Sequence, residues 1–282
     1  MNPRVLLTGI TSIHGWPIFR AFERMLPAAS LFGIRPPKMD IPAQPNVFSV
    51  CISDKSELQR IRDDFNPTHV LHSAGVCDLD VCEERPHWAR MINIGGADAI
   101  ADVFGDSCYI LYLSTDLVFS GDCPPPAGYT EEHNPDPLSI AGQTFVQAEK
   151  RIARCPRHCI VRLGLPLGNS ITGAKGAVDW IESRFKKGLP VTLFHDEYRS
   201  CISCEEIGAM SWSVFEKEVT GLYHFGGLQP QSLHELGKCV LIRGPYDPKL
   251  LNGISRFEEV DGPPRIGNVA MDSSKLRGIL NR

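Results

Sequence analysis

The sequence lacks any apolar stretch approaching membrane-spanning length, which argues against a helical membrane protein. It has no basic run, and a net charge of −4 argues against a nucleic-acid footprint. Repeats and low-complexity linkers are missing as well. The N-terminus enters an apolar strand at once, without the charged, apolar and cleavage regions of a secretory signal, so a cytoplasmic location is expected. One further scarcity matters below: no tyrosine stands between Tyr129 and Tyr198.

Cysteine is not scarce, and ten of them call for a metal check. Cys155 and Cys159 stand close together, and Cys201-Ile202-Ser203-Cys204 is a CxxC. Zinc takes two such pairs brought together, or a Cys pair with a His pair. Both pairs here lie beside predicted strands, where apolar free cysteine is common, and we read them as reduced structural thiols with no metal site. At 282 residues, 43% hydrophobic and 22% charged, the chain can bury a full core.

What organises the chain is its first strand and turn, Val5-Leu6-Leu7-Thr8-Gly9-Ile10-Thr11-Ser12-Ile13-His14-Gly15, followed by an amphipathic run to Met25. Gly9 permits a tight turn, and Gly15 lets the following helix pack close to a sheet, with its first N–H groups facing a pyrophosphate. Ser12 stands where a third glycine would let backbone touch the phosphates. Gly9, Ser12, Ile13, His14 and Gly15 are thus the candidate cofactor turn. A second strand, Ser30 to Arg35, ends in an arginine, which suits a 2′-phosphate, whereas an acid there would hold NAD ribose hydroxyls. NADP is therefore expected, with NAD as the alternative. Arg35 as a solvated turn residue is the competing reading.

Further strands are expected at Val47–Ile52, at Thr68–Gly75 with its small-residue exit Ser73-Ala74-Gly75, and at Tyr109–Leu113. Strands and helices at this spacing predict an α/β fold, a Rossmann-type doubly wound parallel sheet. Residues 1–163 would form the cofactor-binding domain, its sheet completed by parts of 190–225. Residues 164–282 would mainly form a smaller substrate-binding lobe, with a helix from Gly173 to Lys187 carrying Val178, Ile181 and Phe185 into a core.

Several blocks together resemble the extended short-chain dehydrogenase/reductase superfamily, and within it the dTDP-4-dehydrorhamnose reductases. They are the first turn, the Ser73-Ala74-Gly75 exit, the Asp78/Asp80/Cys82-Glu83 loop, the Asn93 helix and Ser114-Thr115-Asp116-Leu117-Val118-Phe119-Ser120-Gly121. The likeness continues through 192–200, 221–227 and Asp272-Ser273-Ser274-Lys275-Leu276. It implies a reductase in which a tyrosine protonates a carbonyl oxygen, a lysine four residues later lowers that tyrosine's pKa, and a Ser or Thr, here Thr115, bonds the same oxygen. It also implies a nucleotide sugar over the nicotinamide, with Val76, Asp116 and Arg199 as candidate substrate contacts. Arg199 suits a diphosphate, and an ion pair with Glu205 or Glu206 is its competing reading.

Against the family pattern Pro-x-x-x-Tyr-Gly-x-Thr-Lys, the stretch from Pro137 places Ala141 at the tyrosine and Phe145 at the lysine. Losing a positioned acid costs ~10²- to 10⁴-fold in rate. His14, His72, His133 and Asp116 are the candidates to replace it. The sequence thus predicts an atypical NAD(P)-dependent oxidoreductase acting on a nucleotide-linked sugar or similar keto compound. Its rivals are a catalytically silent nucleotide-binding regulatory protein serving a partner, and a non-redox lyase or isomerase. A homodimer is a further possibility.

Overall fold

Tyr109–Thr115 is buried along almost its whole length, as suits a strand covered on both faces. In the computed structural model, which describes residues 3–39, 41, 44, 46–171, 176–258 and 262–281, that strand lies inside a seven-stranded parallel sheet. The sheet contains β1 (Val5–Thr8), β2 (Leu31–Arg35), β3 (Val47–Ser49), β4 (His69–His72), β5 (Tyr109–Thr115) and β6 (His158–Leu163). Short strands β7 (Pro166–Leu167), β8 (Val191–Phe194), β9 (Tyr198–Arg199) and β10 (Ile202–Ser203) follow outside it. The chain then returns with β11 (Gly221–Phe225) before the outlying β12 (Gln231–Ser232) and β13 (Leu251–Ile254). The order is β11-β6-β5-β4-β1-β2-β3, so the winding reverses between β1 and β4. A crevice at their carboxyl ends is the ligand position of such sheets.

The helices are α1 (Gly15–Glu23), α2 (Lys55–Phe65), α3 (Leu79–Glu84), α4 (Pro86–Arg90), α5 (Gly96–Phe104), α6 (Ile140–Ile152), α7 (Ala177–Lys186), α8 (Cys204–Lys217), α9 (Leu233–Leu241) and α10 (Ser274–Leu280). One core, including Leu58, Ile100, Phe104, Tyr112 and Ile152, joins α2, α5 and α6 to the sheet. A second, including Phe19, Phe22, Ile207, Val214 and Leu276, seats α1, α8 and α10 on the opposite face. A third cluster holds the smaller lobe: Val178, Ile181 and Phe185 of α7 meet Val191 and Leu193 of β8 and Leu236 of α9. There β8 pairs in parallel with β13, outside the main sheet.

Element ends depart from the sequence reading for local reasons. β3 stops at Ser49 rather than Ile52, although the Val50 amide still donates to Arg35 O at 3.0 Å. β4 ends at His72, and Ser73-Ala74-Gly75 leaves the sheet as a loop. β5 extends to Thr115 because β6 continues its ladder as far as Leu163. Helix α6 starts at Ile140, since the Ser139 hydroxyl caps it by accepting from Gly142 N at 3.1 Å. For α7, the predicted start at Gly173 lies outside the described residues, and the helix runs from Ala177.

Candidate functional site

The β1–α1 turn depends on two glycines. Gly9 has φ +70°, and a Cβ on it would lie 2.5 Å from the Ala74 amide nitrogen. The turn is therefore pressed directly onto the exit of β4. At Gly15 a Cβ would meet the Ser12 hydroxyl at 2.7 Å. That hydroxyl accepts from Gly15 N at 2.9 Å, so Ser12 folds inward and caps the turn. Among the described residues, the backbone N–H groups of Ile13 and His14 have no acceptor, and both His14 ring nitrogens are buried without a partner. Burial lowers the His14 pKa to about 4. Free donors at the start of a nine-residue helix suit an anion.

Arg35 ends β2 beside this turn. Its Nη1 donates to Met39 O at 2.8 Å and to Pro36 O, which braces the loop after the strand. Nε and Nη2 keep their donors without an acceptor among the described residues, and these are the donors a phosphate monoester would take. Across the crevice, Ser73 Oγ donates to Thr8 O at 2.7 Å and ties the β4 exit to β1. Beyond Gly75, Asn93 clamps the chain. Its Oδ1 accepts from Val76 N at 2.7 Å, while Nδ2 donates to Val76 O and to Thr144 Oγ1. Asn93 is 1% exposed and sits in a π-helical turn, Met91–Gly95, that widens the α4–α5 helix and aims the amide inward. The sequence reading named Asn93 only as part of a resemblance. The helical Asn followed by Gly95-Gly96 was the available signal for the clamp.

The acid position is apolar and closed. Ala141 is fully buried and Phe145 is 6% exposed. The Phe145 ring stacks on Tyr112 of β5 at 6.4 Å, and a Cβ on Gly75 would come within 2.8 Å of its Cζ. Helix α6 holds the ring there through three anchors. Glu83 accepts from Ile140 N at 2.7 Å, Ser139 caps the first turn, and buried Glu149 receives Arg162 at 2.9 and 2.8 Å and Ser114 Oγ at 2.6 Å.

The remaining candidates make bonds to protein, with His72 Nε2 left without one among the described residues. Thr115 Oγ1 accepts from Leu117 N at 3.3 Å and donates to Asp116, closing the 3₁₀ turn after β5. His72 is fully buried, bonded to Thr8 Oγ1 at 2.8 Å and stacked on Tyr112, and burial lowers its pKa to about 3. His133 Nδ1 accepts from Thr130 N at 3.0 Å within its own turn. Arg199 departs from the ion-pair expectation. It pairs with neither Glu205 nor Glu206 but with Asp116, Nε donating to Oδ2 at 2.8 Å and Nη2 to Oδ1. Glu197 lies 3.6 Å from its Nη1. Arg199 is 7% and Asp116 0% exposed, so a buried ion pair joins the end of β5 to β9. Glu206 lies instead 3.8 Å from Arg277. Burial raises the Glu197 carboxyl above its usual pKa, with Arg199 and Arg265 opposing, and Glu197 Oε2 has no hydrogen-bond partner among the described residues.

No cluster of three or more metal-ligating side chains occurs among the described residues. All ten cysteines are free, and burial raises the thiols of Cys82, Cys159 and Cys204 to about 12. No described helix is long and apolar enough to cross a membrane.

The reversed winding order and the Gly9–Gly15 turn together define a Rossmann-type α/β protein. Residues 3–281 match the family model described as RmlD substrate binding domain, and the chain belongs to that family. The methionine adenosyltransferase 2 subunit beta of Bos taurus is 31% identical over 286 residues, covering 99% of this chain and 83% of the relative. A solved hypothetical dTDP-4-dehydrorhamnose reductase from Sulfolobus tokodaii superposes with TM-score 0.80 at 24% identity, covering 98% of this chain and 94% of that one. The dTDP-4-dehydrorhamnose reductase of Bacillus anthracis, in complex with NADP, superposes with TM-score 0.82 at 21% identity over 99% of this chain and 93% of its own.

The residues present fit a nicotinamide dinucleotide in part. The β1–α1 turn offers donors that are unpartnered among the described residues, and Arg35 offers two more. The half that would carry the reacting ring meets Phe145 and Ala141 instead of an acid and a cation.

Proposed function

We propose that this protein is a catalytically silent, nucleotide-binding regulatory subunit that serves a partner enzyme. The observation that carries this reading is the buried pair Ala141 and Phe145, which puts hydrocarbon where hydride chemistry needs a proton donor and a cation. The surrounding groups support it. Thr115 is spent on a turn, His72 is a neutral core histidine, and Asp116 and Arg199 hold each other. The nucleotide is NADP in preference to NAD, on the strength of Arg35. The relatives called subunit beta of a methionine adenosyltransferase support, as the partner class, a catalytic subunit of that enzyme type.

The test has two arms. The purified chain is mixed with a methionine adenosyltransferase catalytic subunit, and co-elution together with an altered KM or product inhibition is expected. It is also incubated with NADPH and 4-keto nucleotide sugars, and no NADPH oxidation above background is expected. Oxidation that depends on the sugar and is lost in Thr115→Ala would establish the reductase reading in its place.

A further inference from the structure

We infer that the site reads only the phosphate-bearing half of a dinucleotide, a ribose 2′-phosphorylated nucleoside diphosphate, and that nicotinamide contributes nothing to binding. This rests on the reading of the β1–α1 turn as a nucleotide cradle.

In a doubly wound sheet the first mononucleotide half lies over β1, β2 and β3, and the second over β4, β5 and β6, with the pyrophosphate at the crossing. The first half is equipped. Among the described residues, the N–H groups of Ile13 and His14 have no acceptor, the His14 ring nitrogens lack partners, and Arg35 keeps Nε–H and Nη2–H available. The second half is filled. The Phe145 ring lies against the Gly75 backbone at the exit of β4 and stacks on Tyr112 of β5. At 6% exposure it offers no open face on which a nicotinamide could stack.

The ring cannot turn aside cheaply. Helix α6 is fixed at its start by Ser139 and Glu83 and at its far end by the buried Glu149–Arg162 pair. From the other side, Asn93 holds both polar groups of Val76 and the hydroxyl of Thr144, so the strand exit and α6 are clamped together over the ring. Phe145 therefore fills this part of the crevice with protein. A bound dinucleotide would direct its nicotinamide into solvent.

Calorimetry on the whole chain compares NADPH, NADP and 2′-phospho-ADP-ribose, the last lacking nicotinamide. The expected result is three dissociation constants within about threefold of one another. Saturated NADPH should also keep the emission of the free compound, since its nicotinamide stays in water. A preference of tenfold or more for NADPH or NADP, or a blue-shifted and enhanced nicotinamide emission, overturns the inference while leaving the nucleotide cradle standing. Failure of all three compounds to bind folded protein overturns the cradle and the inference with it.

Discussion

Breaking the Asp116–Arg199 pair tests how the two parts of the chain are joined. Asp116 follows β5 and is fully buried, while Arg199 in β9 is 7% exposed, so neither charge can recover its hydration if the other is removed. Removing one member of a buried pair costs about 3–5 kcal/mol. The two single substitutions should differ. In Asp116→Ala, Arg199 retains Glu197 at 3.6 Å and the loss should fall near the lower figure. In Arg199→Met, fully buried Asp116 loses both hydrogen bonds from the guanidinium while Glu197 retains the charge of Arg265, and the loss should reach the upper figure. With an unfolding entropy of about 2.1 cal/mol/K per residue, roughly 0.6 kcal/mol/K for 282 residues, these losses lower Tm by about 5–8 °C. Urea and thermal unfolding of both singles and the Asp116→Ala/Arg199→Met double close the cycle. The double should be more stable than the sum of the singles implies, by about 1–3 kcal/mol. Additive losses below about 1 kcal/mol each would show that the pair is exposed and weakly coupled. NADPH affinity should be unchanged in Arg199→Met, because this guanidinium is already taken by carboxylates.

Gly9→Ala combines a positive φ with a Cβ 2.5 Å from Ala74 N, so a stability loss above about 1 kcal/mol and loss of nucleotide binding are expected by denaturation and calorimetry. Wild-type behaviour would contradict the tight contact between the turn and the β4 exit. Thr115→Ala removes a cap and should cost about 1 kcal/mol while leaving NADPH affinity intact; a large loss of affinity would place the hydroxyl on a ligand instead. His72 and His224 are held neutral, with pKa lowered from 6.5 to about 3 and about 4. Below pH 6.5 the unfolded chain takes protons that the native state refuses, so stability falls with pH until about 4, by about 1.4 kcal/mol per pH unit for each histidine. Urea unfolding of His72→Gln at pH 7, 6 and 5 (roughly spanning that window) should show the slope reduced by one such increment, and an unchanged slope would mean that His72 is not buried neutral.

The sequence by itself determined the sheet and the turn, because both rest on local physics. Continuous apolar runs such as Tyr109–Leu113 have only buried parallel strands to enter, and a glycine at the end of β1 opens the left-handed conformation that the turn adopts. The replacement of acid and cation by Ala141 and Phe145 was equally legible, since a fixed helical spacing puts both residues on one face. Where the Phe145 ring goes, onto Gly75 and Tyr112, was decided by tertiary structure, because those neighbours are set by the packing of α6 across β4 and β5. The same holds for the partners of charged side chains. Arg199 lies 83 residues from Asp116 in the chain, and the nearby Glu205 and Glu206 looked equally able to pair with it. Sequence proximity says little about a long, flexible cation, whereas burial at the junction of β5 and β9 leaves it only the carboxylates that fold there with it.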